Sequence, residues 1–141
     1  MKYLTILLSV LFFSSCSKEP HAINYGKDIC ENCKMTIMDM KFGGELINKK
    51  GKALKFDSGE CMLKYLYSHP EFKVDKYLIV NYSNPGEMIE AKKAVFIIGG
   101  NVKSPMGGAL AAFANNADAM NTNKLLGGNI NSWETISHME F

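Results

Sequence analysis

The sequence predicts an α+β fold in which two similar small ββαβ units pack together. Three observations favour this class: short β-prone segments alternate with helix-start signals, the order of elements occurs twice, and Phe56 and Phe113 each end a strand directly before a helix cap. The 141 residues suit one compact domain or two very small ones, and the hydrophobic fraction of 47% is too high for a disordered chain. The length therefore excludes a large multidomain enzyme.

The first segment, residues 1–15, is predicted to be a bacterial lipoprotein signal peptide. Lys2 precedes a continuous apolar stretch at 4–13, which is shorter than the roughly 20 residues needed to span a bilayer and has the length of a secretory hydrophobic region. Two serines then lead into Cys16, as in a lipobox, where the cysteine is lipidated and becomes the mature N-terminus. The alternative is an ordinary cleaved signal followed by an incidental cysteine.

Three regions follow the signal peptide. A polar tether at 16–27 links the lipidated Cys16 to a first unit at 28–86, and a second unit occupies 87–141. The lipid anchor predicts a position on the periplasmic side of a bacterial membrane, in an oxidising compartment. Ser17 is not the aspartate of an inner-membrane retention signal, which favours the outer membrane.

The elements within the two units follow from turn signals and periodicity. Strands are expected at 43–47, at 53–56, at 77–82, within 88–98, at 107–113 and at 130–136. A polar turn joins the first two strands as a hairpin. The first helix is expected to begin with Asp57 as its cap and Glu60 three residues on, and to end before Pro70. Asn115 or Asn116 is expected to cap the second helix, which ends before a pair of glycines.

The charges give no indication of nucleic acid binding. The formal net charge is +2, and all 16 basic residues are lysines. The chain has no basic block that would release counterions from phosphate and no guanidinium fork for bidentate phosphate recognition.

The cysteines provide the densest chemistry in the sequence. Because Cys16 is expected to carry lipid, three thiols remain, which excludes a scaffold of two disulfides. Cys30 and Cys33 are separated by two residues and can form a disulfide, exchange thiols or bind a soft metal. Structural zinc is disfavoured because Cys61 is the only further thiol and no histidine pair has finger spacing. Thiol exchange is disfavoured because the pair precedes a hairpin rather than lying in a βαβ unit.

Several methionines extend this set of soft donors. Met35 lies two residues after Cys33, so in an extended chain both side chains point to one face, and a thiolate beside a thioether suits Cu(I). Met106 lies in a turn between a proline and two glycines, which predicts an exposed thioether. For Met38 and Met40, hydrophobic packing is the favoured interpretation over metal binding.

The remaining candidates have simpler interpretations. Cys61 lies in the first turn of the first helix, where the helix terminus could lower its pKa, although a buried structural thiol is the favoured interpretation. Asp57 is interpreted first as a helix cap. The three histidines are scattered along the chain and are expected to be incidental; they are His21, His69 and His138.

The order and spacing of these motifs resemble those of the NosL family, lipoprotein copper chaperones that serve the assembly of nitrous oxide reductase. The matching positions are the lipobox ending at Cys16, Asp28-Ile29-Cys30, Cys33-Lys34-Met35, Phe56-Asp57-Ser58 with Cys61, Tyr77 to Tyr82, Glu90-Ala91, Pro105-Met106-Gly107, Ala112-Phe113, Ala117 and Trp133. Two positions depart from the family pattern. Lys34 stands where the family usually has glycine, and Met88-Ile89 replaces an aromatic residue.

The resemblance implies a fold of two ββαβ units, no catalytic activity, and Cu(I) bound through sulfur. It implies metal ligands at Cys33, Met35 and Met106, with Cys30 and Cys61 as further candidates. The implied partners are a client apoprotein (nitrous oxide reductase) and a membrane-bound maturation complex. Two alternatives remain open: a thiol–disulfide oxidoreductase that uses Cys30 and Cys33, and a general metal-stress lipoprotein.

Overall fold

The structure is a computed structural model that describes residues 20–141. The predicted signal peptide and Cys16 therefore lie outside the described residues. The elements are β1 (Gly44–Asn48), β2 (Ala53–Phe56), α1 (Gly59–Ser68), β3 (Val74–Val80), β4 (Met88–Glu90), a 3-10 turn (Ala91–Lys93), β5 (Val95–Ile98), β6 (Leu110–Phe113), α2 (Asn116–Leu126), β7 (Asn129–Ser132) and α3 (Trp133–Ile136). Between residues 20 and 141, no helix has the length and apolar character needed to cross a membrane.

Two antiparallel sheets confirm the predicted fold class. The first sheet has the strand order β2-β1-β3-β4 and the second has the order β6-β5-β7. Both are built in the same way: a hairpin, a helix, and a return strand that pairs with the first strand of the hairpin. The repeat predicted from the order of elements is therefore present in the sheet topology as well.

The two sheets meet over a shared core. Asn81, just after β3, forms a bridge with Ala112 of β6, and the amide of Tyr82 donates to the Ala112 carbonyl at 2.8 Å. One buried cluster draws side chains from both halves of the chain, including Phe56, Met62, Ile79, Phe96, Leu110 and Trp133. Burial of this apolar surface is the main force that holds the halves together.

Two predicted strands differ from the structure. Residues 88–90, expected to lie in the second unit, form β4 and pair with β3 in the first sheet. The segment expected as one strand at 130–136 is divided into β7 and α3. Trp133 and Ile136 are both buried, and their spacing of three residues puts them on one side of a helix, whereas the side chain of Ile130 is 41% exposed.

Candidate metal centre

Three free thiols converge on the start of α1. They belong to Cys30, Cys33 and Cys61, which we call the thiol cluster. Their sulfur atoms and one carboxylate oxygen of Asp57 all lie within 4.8 Å of one another. Cys30 and Cys61 are fully buried, whereas Cys33 is partly exposed. The cluster is therefore closed on its inner side and open at Cys33.

A tight turn brings Cys30 and Cys33 together. Ile29 and Thr36 form an antiparallel bridge across the turn, the amide of Cys30 donates to the Met35 carbonyl at 2.8 Å, and the amide of Lys34 donates to the Cys30 carbonyl at 3.0 Å. Lys34 has a φ of 62°, in the left-handed region that favours glycine. Glycine would adopt this conformation without strain, whereas the side chain of Lys34 makes it costly.

The N-terminus of α1 supplies the other half of the centre. Ser58 is the N-cap, because its side chain accepts from the amide of Cys61 at 3.2 Å. The prediction that Asp57 is the cap was wrong by one residue. Since Ser58 satisfies the helix terminus, the Asp57 carboxylate is available to face the thiols, and Cys33 Sγ donates to its Oδ2 at 3.4 Å.

The polar atoms at the centre fit a bound cation. Asp57 is buried, and its Oδ1 accepts no hydrogen bond within the described part of the chain. A buried, unsatisfied carboxylate oxygen is costly unless a proton or a metal ion satisfies it. Three sulfur atoms and a carboxylate oxygen of Asp57 form a donor set that is suitable for a soft or borderline metal ion.

The thiols differ in their readiness to lose a proton. The thiol of Cys61 donates a hydrogen bond to the sulfur of Cys30, and this bond lowers the pKa of Cys30 the most. Hydrogen bonds from the backbone amides of Cys33, Asp57 and Asn32 lower it further, whereas burial raises it. The resulting pKa of Cys30 is about 6. The same donated hydrogen bond, together with burial, raises the pKa of Cys61. Burial and the neighbouring Cys30 raise the pKa of Cys33. The favoured thiolate is therefore Cys30, whereas Cys61 is the buried thiol that its sequence position favoured, with a pKa that is raised and not lowered.

The two predicted thioether donors, Met35 and Met106, differ in their exposure. The Met35 side chain is 60% exposed, one residue beyond the tight turn. Met106 is partly buried and packs against the core cluster that contains Cys30 and Cys61. Met38 and Met40 are 69% and 51% exposed, so the prediction that they pack in the core was wrong. The residue of that segment that fills the core is Ile37, which is fully buried.

The histidines do not join the thiol cluster. The ring of His21 contacts Glu45 at 3.1 Å, and the ring of His69 stacks on Tyr65 at a centroid distance of 4.0 Å. Among the described residues, the only group of cysteine, histidine or acidic side chains with metal-binding spacing is the thiol cluster with Asp57.

Comparison with known proteins places the chain in a family. The NosL family profile matches residues 20–141. The chain belongs to the NosL family. The copper-binding lipoprotein NosL of Stutzerimonas stutzeri is 31% identical over 129 residues, which cover 85% of this chain and 67% of that protein. The crystal structure of the copper chaperone NosL from Shewanella denitrificans superposes with a TM-score of 0.71 at 22% identity, covering 88% of this chain and 97% of that one. At that identity the superposition establishes the NosL fold, and neither named relative is described as an enzyme.

Two polar residues at this site of the NosL-family chain were not among the predicted site residues. Asp57 was interpreted as a cap, although two neighbouring residues, Asp57 and Ser58, both have cap-forming side chains and a helix uses only one. The presence of two cap-forming residues side by side therefore indicates that one of them is free for another role. Asn32, whose side-chain amide donates to Cys61 Sγ at 3.5 Å, had no signal, because the contact joins residues that are 29 positions apart.

Proposed function

We propose that this chain is a lipid-anchored, extracytoplasmic Cu(I) chaperone that delivers copper for the maturation of nitrous oxide reductase. The observation that supports it most directly is the convergence of three free thiols and Asp57 within 4.8 Å. Thiolates and thioethers are the ligands that Cu(I) prefers. Both named relatives are described in terms of copper, one as copper-binding and one as a copper chaperone.

The position of the donors suits delivery rather than storage. Cys30 and Cys61 hold the metal from the buried side, whereas Cys33 and Met35 lie at the open side. A partner can approach there and replace donors one at a time by ligand exchange. Met106, on the neighbouring loop, is a further donor in this proposal. Binding displaces the protons of Cys33 and Cys61, because their raised pKa values keep them protonated before metal arrives.

The proposed location rests on the lipobox at Cys16 and on the description of the Stutzerimonas relative as a lipoprotein. A lipid anchor on the periplasmic side of the membrane raises the effective concentration of the chaperone near a membrane-bound maturation complex. The outer membrane remains the favoured location because Ser17 is not an inner-membrane retention signal. The client and the complex are parts of the proposal that come from the family resemblance.

An anaerobic copper titration tests the proposal. The lipidated protein, purified in detergent without oxygen, is titrated with Cu(I) against a chromophoric competing chelator. We expect Met35→Ala and Met106→Ala each to weaken Cu(I) binding, and Cys30→Ser to weaken it further, because the favoured thiolate is lost. Met120→Ala is the matched control, since Met120 is 53% exposed and lies on α2, a helix that carries none of the proposed donors. Stronger retention of Zn(II) than of Cu(I) would contradict the copper assignment.

Thiol–disulfide exchange is the second function with an observation in its favour. The pKa of Cys30 near 6 is typical of a reactive cysteine in a pair separated by two residues. That thiolate is fully buried, however, and the accessible Cys33 has a raised pKa. The disulfide of a substrate protein would therefore contact the sulfur of Cys33, which is the less reactive of the two. Two results together would favour this function over the chaperone. The protein would show disulfide reductase activity that Cys30→Ser abolishes, and its copper affinity would be unchanged by Met35→Ala and by Met106→Ala.

A further inference from the structure

Glu60 is a fully buried carboxylate that the thiol cluster does not use. It lies in the first turn of α1, directly before Cys61, with no exposed surface. Within residues 20–141, neither a lysine nor a histidine forms an ion pair with it. A buried acidic side chain without a cationic partner is uncommon. Its hydrogen bonds identify the part of the chain that it holds in place.

The hydrogen bonds of Glu60 go to one short segment of the second half of the chain, which runs from Ser104 to Leu110. We call residues 104–108 the Met106 loop. Glu60 Oε1 accepts from the hydroxyl of Ser104 and from the amide of Leu110, the latter at 3.2 Å. Gly108 packs directly on the same side chain, because a Cβ atom there would lie 2.6 Å from Glu60 Cγ and 2.9 Å from Oε1. Glu60 therefore contacts the loop on both sides of Met106.

The loop is held in a conformation that an unconstrained chain would avoid. The Ser104 hydroxyl accepts from the amide of Ala109 at 2.9 Å, and the amide of Gly107 donates to the Ser104 carbonyl at 3.0 Å. Ala109 has a φ of 53°, in the left-handed region where an alanine is strained. Such strain persists only where surrounding contacts impose it, and it is concentrated at functional sites.

We propose that Glu60 is the positioning residue that holds Met106 at the thiol cluster. Glu60 precedes Cys61 on α1, and its carboxylate holds the loop that carries Met106, so it fixes a thiol and a thioether from different halves of the chain relative to each other. Its second oxygen, Oε2, is buried and has no hydrogen-bond partner in the described part of the chain. A fold optimised for stability alone would not retain this cost. The proposal rests on the proposed function, in which Met106 is a copper donor.

Methionine oxidation tests the positioning without any metal. The full lipidated chain, metal-free and reduced, is exposed to dilute peroxide, and sulfoxide at each methionine is followed by peptide mass spectrometry. We expect Ser104→Ala and Glu60→Ala to raise the rate at Met106 severalfold relative to Met35, because releasing the loop exposes a partly buried thioether. Glu60→Gln keeps an acceptor for the loop and is expected to stay close to the wild type. An unchanged ratio of the Met106 and Met35 rates in Ser104→Ala overturns the proposal.

A double-mutant cycle tests whether the positioning serves the metal. Ser104→Ala is expected to weaken Cu(I) binding about tenfold, as loss of a supporting residue around a metal site does, and to have no further effect in the Met106→Ala protein. Ser83→Ala, at an exposed loop serine, is the control. An equal loss of affinity in both backgrounds overturns the proposal, because the effect would then pass through the thiols. If the wild type takes up no Cu(I), the proposed function fails, while the oxidation ratio still decides whether Glu60 holds Met106.

Discussion

At the scale of single residues, the sulfur of Cys30 is surrounded by hydrogen-bond donors. The Cys61 thiol and three backbone amides point to it, which lowers its pKa to about 6 from an ordinary value of 9.0. The other two thiols have raised pKa values, so each holds its proton across the neutral range. The cluster therefore combines a thiolate that is ready for a metal ion with two thiols that must be deprotonated by it.

This arrangement predicts how the stability of the metal-free, reduced protein depends on pH. Between pH 6 and pH 9.0 the unfolded chain keeps a proton on Cys30 that the folded chain has released. Because the unfolded state binds more protons in that window, Cys30 makes the free energy of unfolding rise with pH, and its contribution is lost as the pH falls through the folded pKa. Cys33 and Cys61 contribute little there, since both states keep those protons.

Urea unfolding at several pH values across the window measures the effect. Cys30→Ser should flatten the rise in the free energy of unfolding. Met120→Ala should leave it intact, because Met120 is an exposed residue of α2 that does not titrate. Identical pH slopes in Cys30→Ser and the wild type would show that Cys30 is not the low-pKa thiol.

At the scale of elements, the turn from Cys30 to Met35 carries a strained residue. Lys34 has a φ of 62°, and its ammonium group pairs with Glu31 at 3.2 Å on the exposed surface, where an ion pair contributes little. Lys34→Gly relieves the left-handed strain, which costs about 1–2 kcal/mol for a residue with a side chain. The same substitution raises the conformational entropy of the unfolded chain, which offsets part of this gain. We therefore expect a net increase of about 0.5–1 kcal/mol in the free energy of unfolding.

Denaturant unfolding of the metal-free, reduced protein checks this gain. Lys49→Gly is the control, because Lys49 is an exposed turn residue without a positive φ. The control should lose stability through the unfolded chain alone. A loss of equal size in both variants would mean that the turn does not strain Lys34.

At the scale of the whole molecule, local patterns predicted more of the fold than of the site. The hairpin, α1 and α2 depend on turn residues and periodicity within a few positions, and they were predicted within a few residues of their observed bounds. The last segment was not, because the helical burial of Trp133 and Ile136 depends on a core assembled from both halves. Cys30 and Cys33 were found as a local pair, whereas the positions of Asp57 and Glu60 depend on contacts between distant segments.

The shared core leads to a prediction about cooperativity. The thiol cluster lies in the segment 28–86, whereas Trp133, the single tryptophan of the chain, lies in 87–141. Its ring packs edge-on against Tyr77 of β3 at a centroid distance of 5.4 Å and close to Phe96 of β5. Metal bound at the cluster should therefore stabilise the surroundings of Trp133, although all three thiols lie in 28–86.

Unfolding monitored by Trp133 fluorescence, with and without Cu(I), measures this coupling. At a free metal concentration about 100 times the dissociation constant, binding to the folded state alone adds about 2.7 kcal/mol to the free energy of unfolding. We expect the fluorescence transition to shift by the same amount as the transition followed by circular dichroism, and both shifts to vanish when Cys30 and Cys61 are replaced by serine. The opposite result is a fluorescence transition that does not shift, together with a circular dichroism transition that divides into two steps. It would show that the two halves unfold as independent domains, because stabilising one half would not stabilise the other.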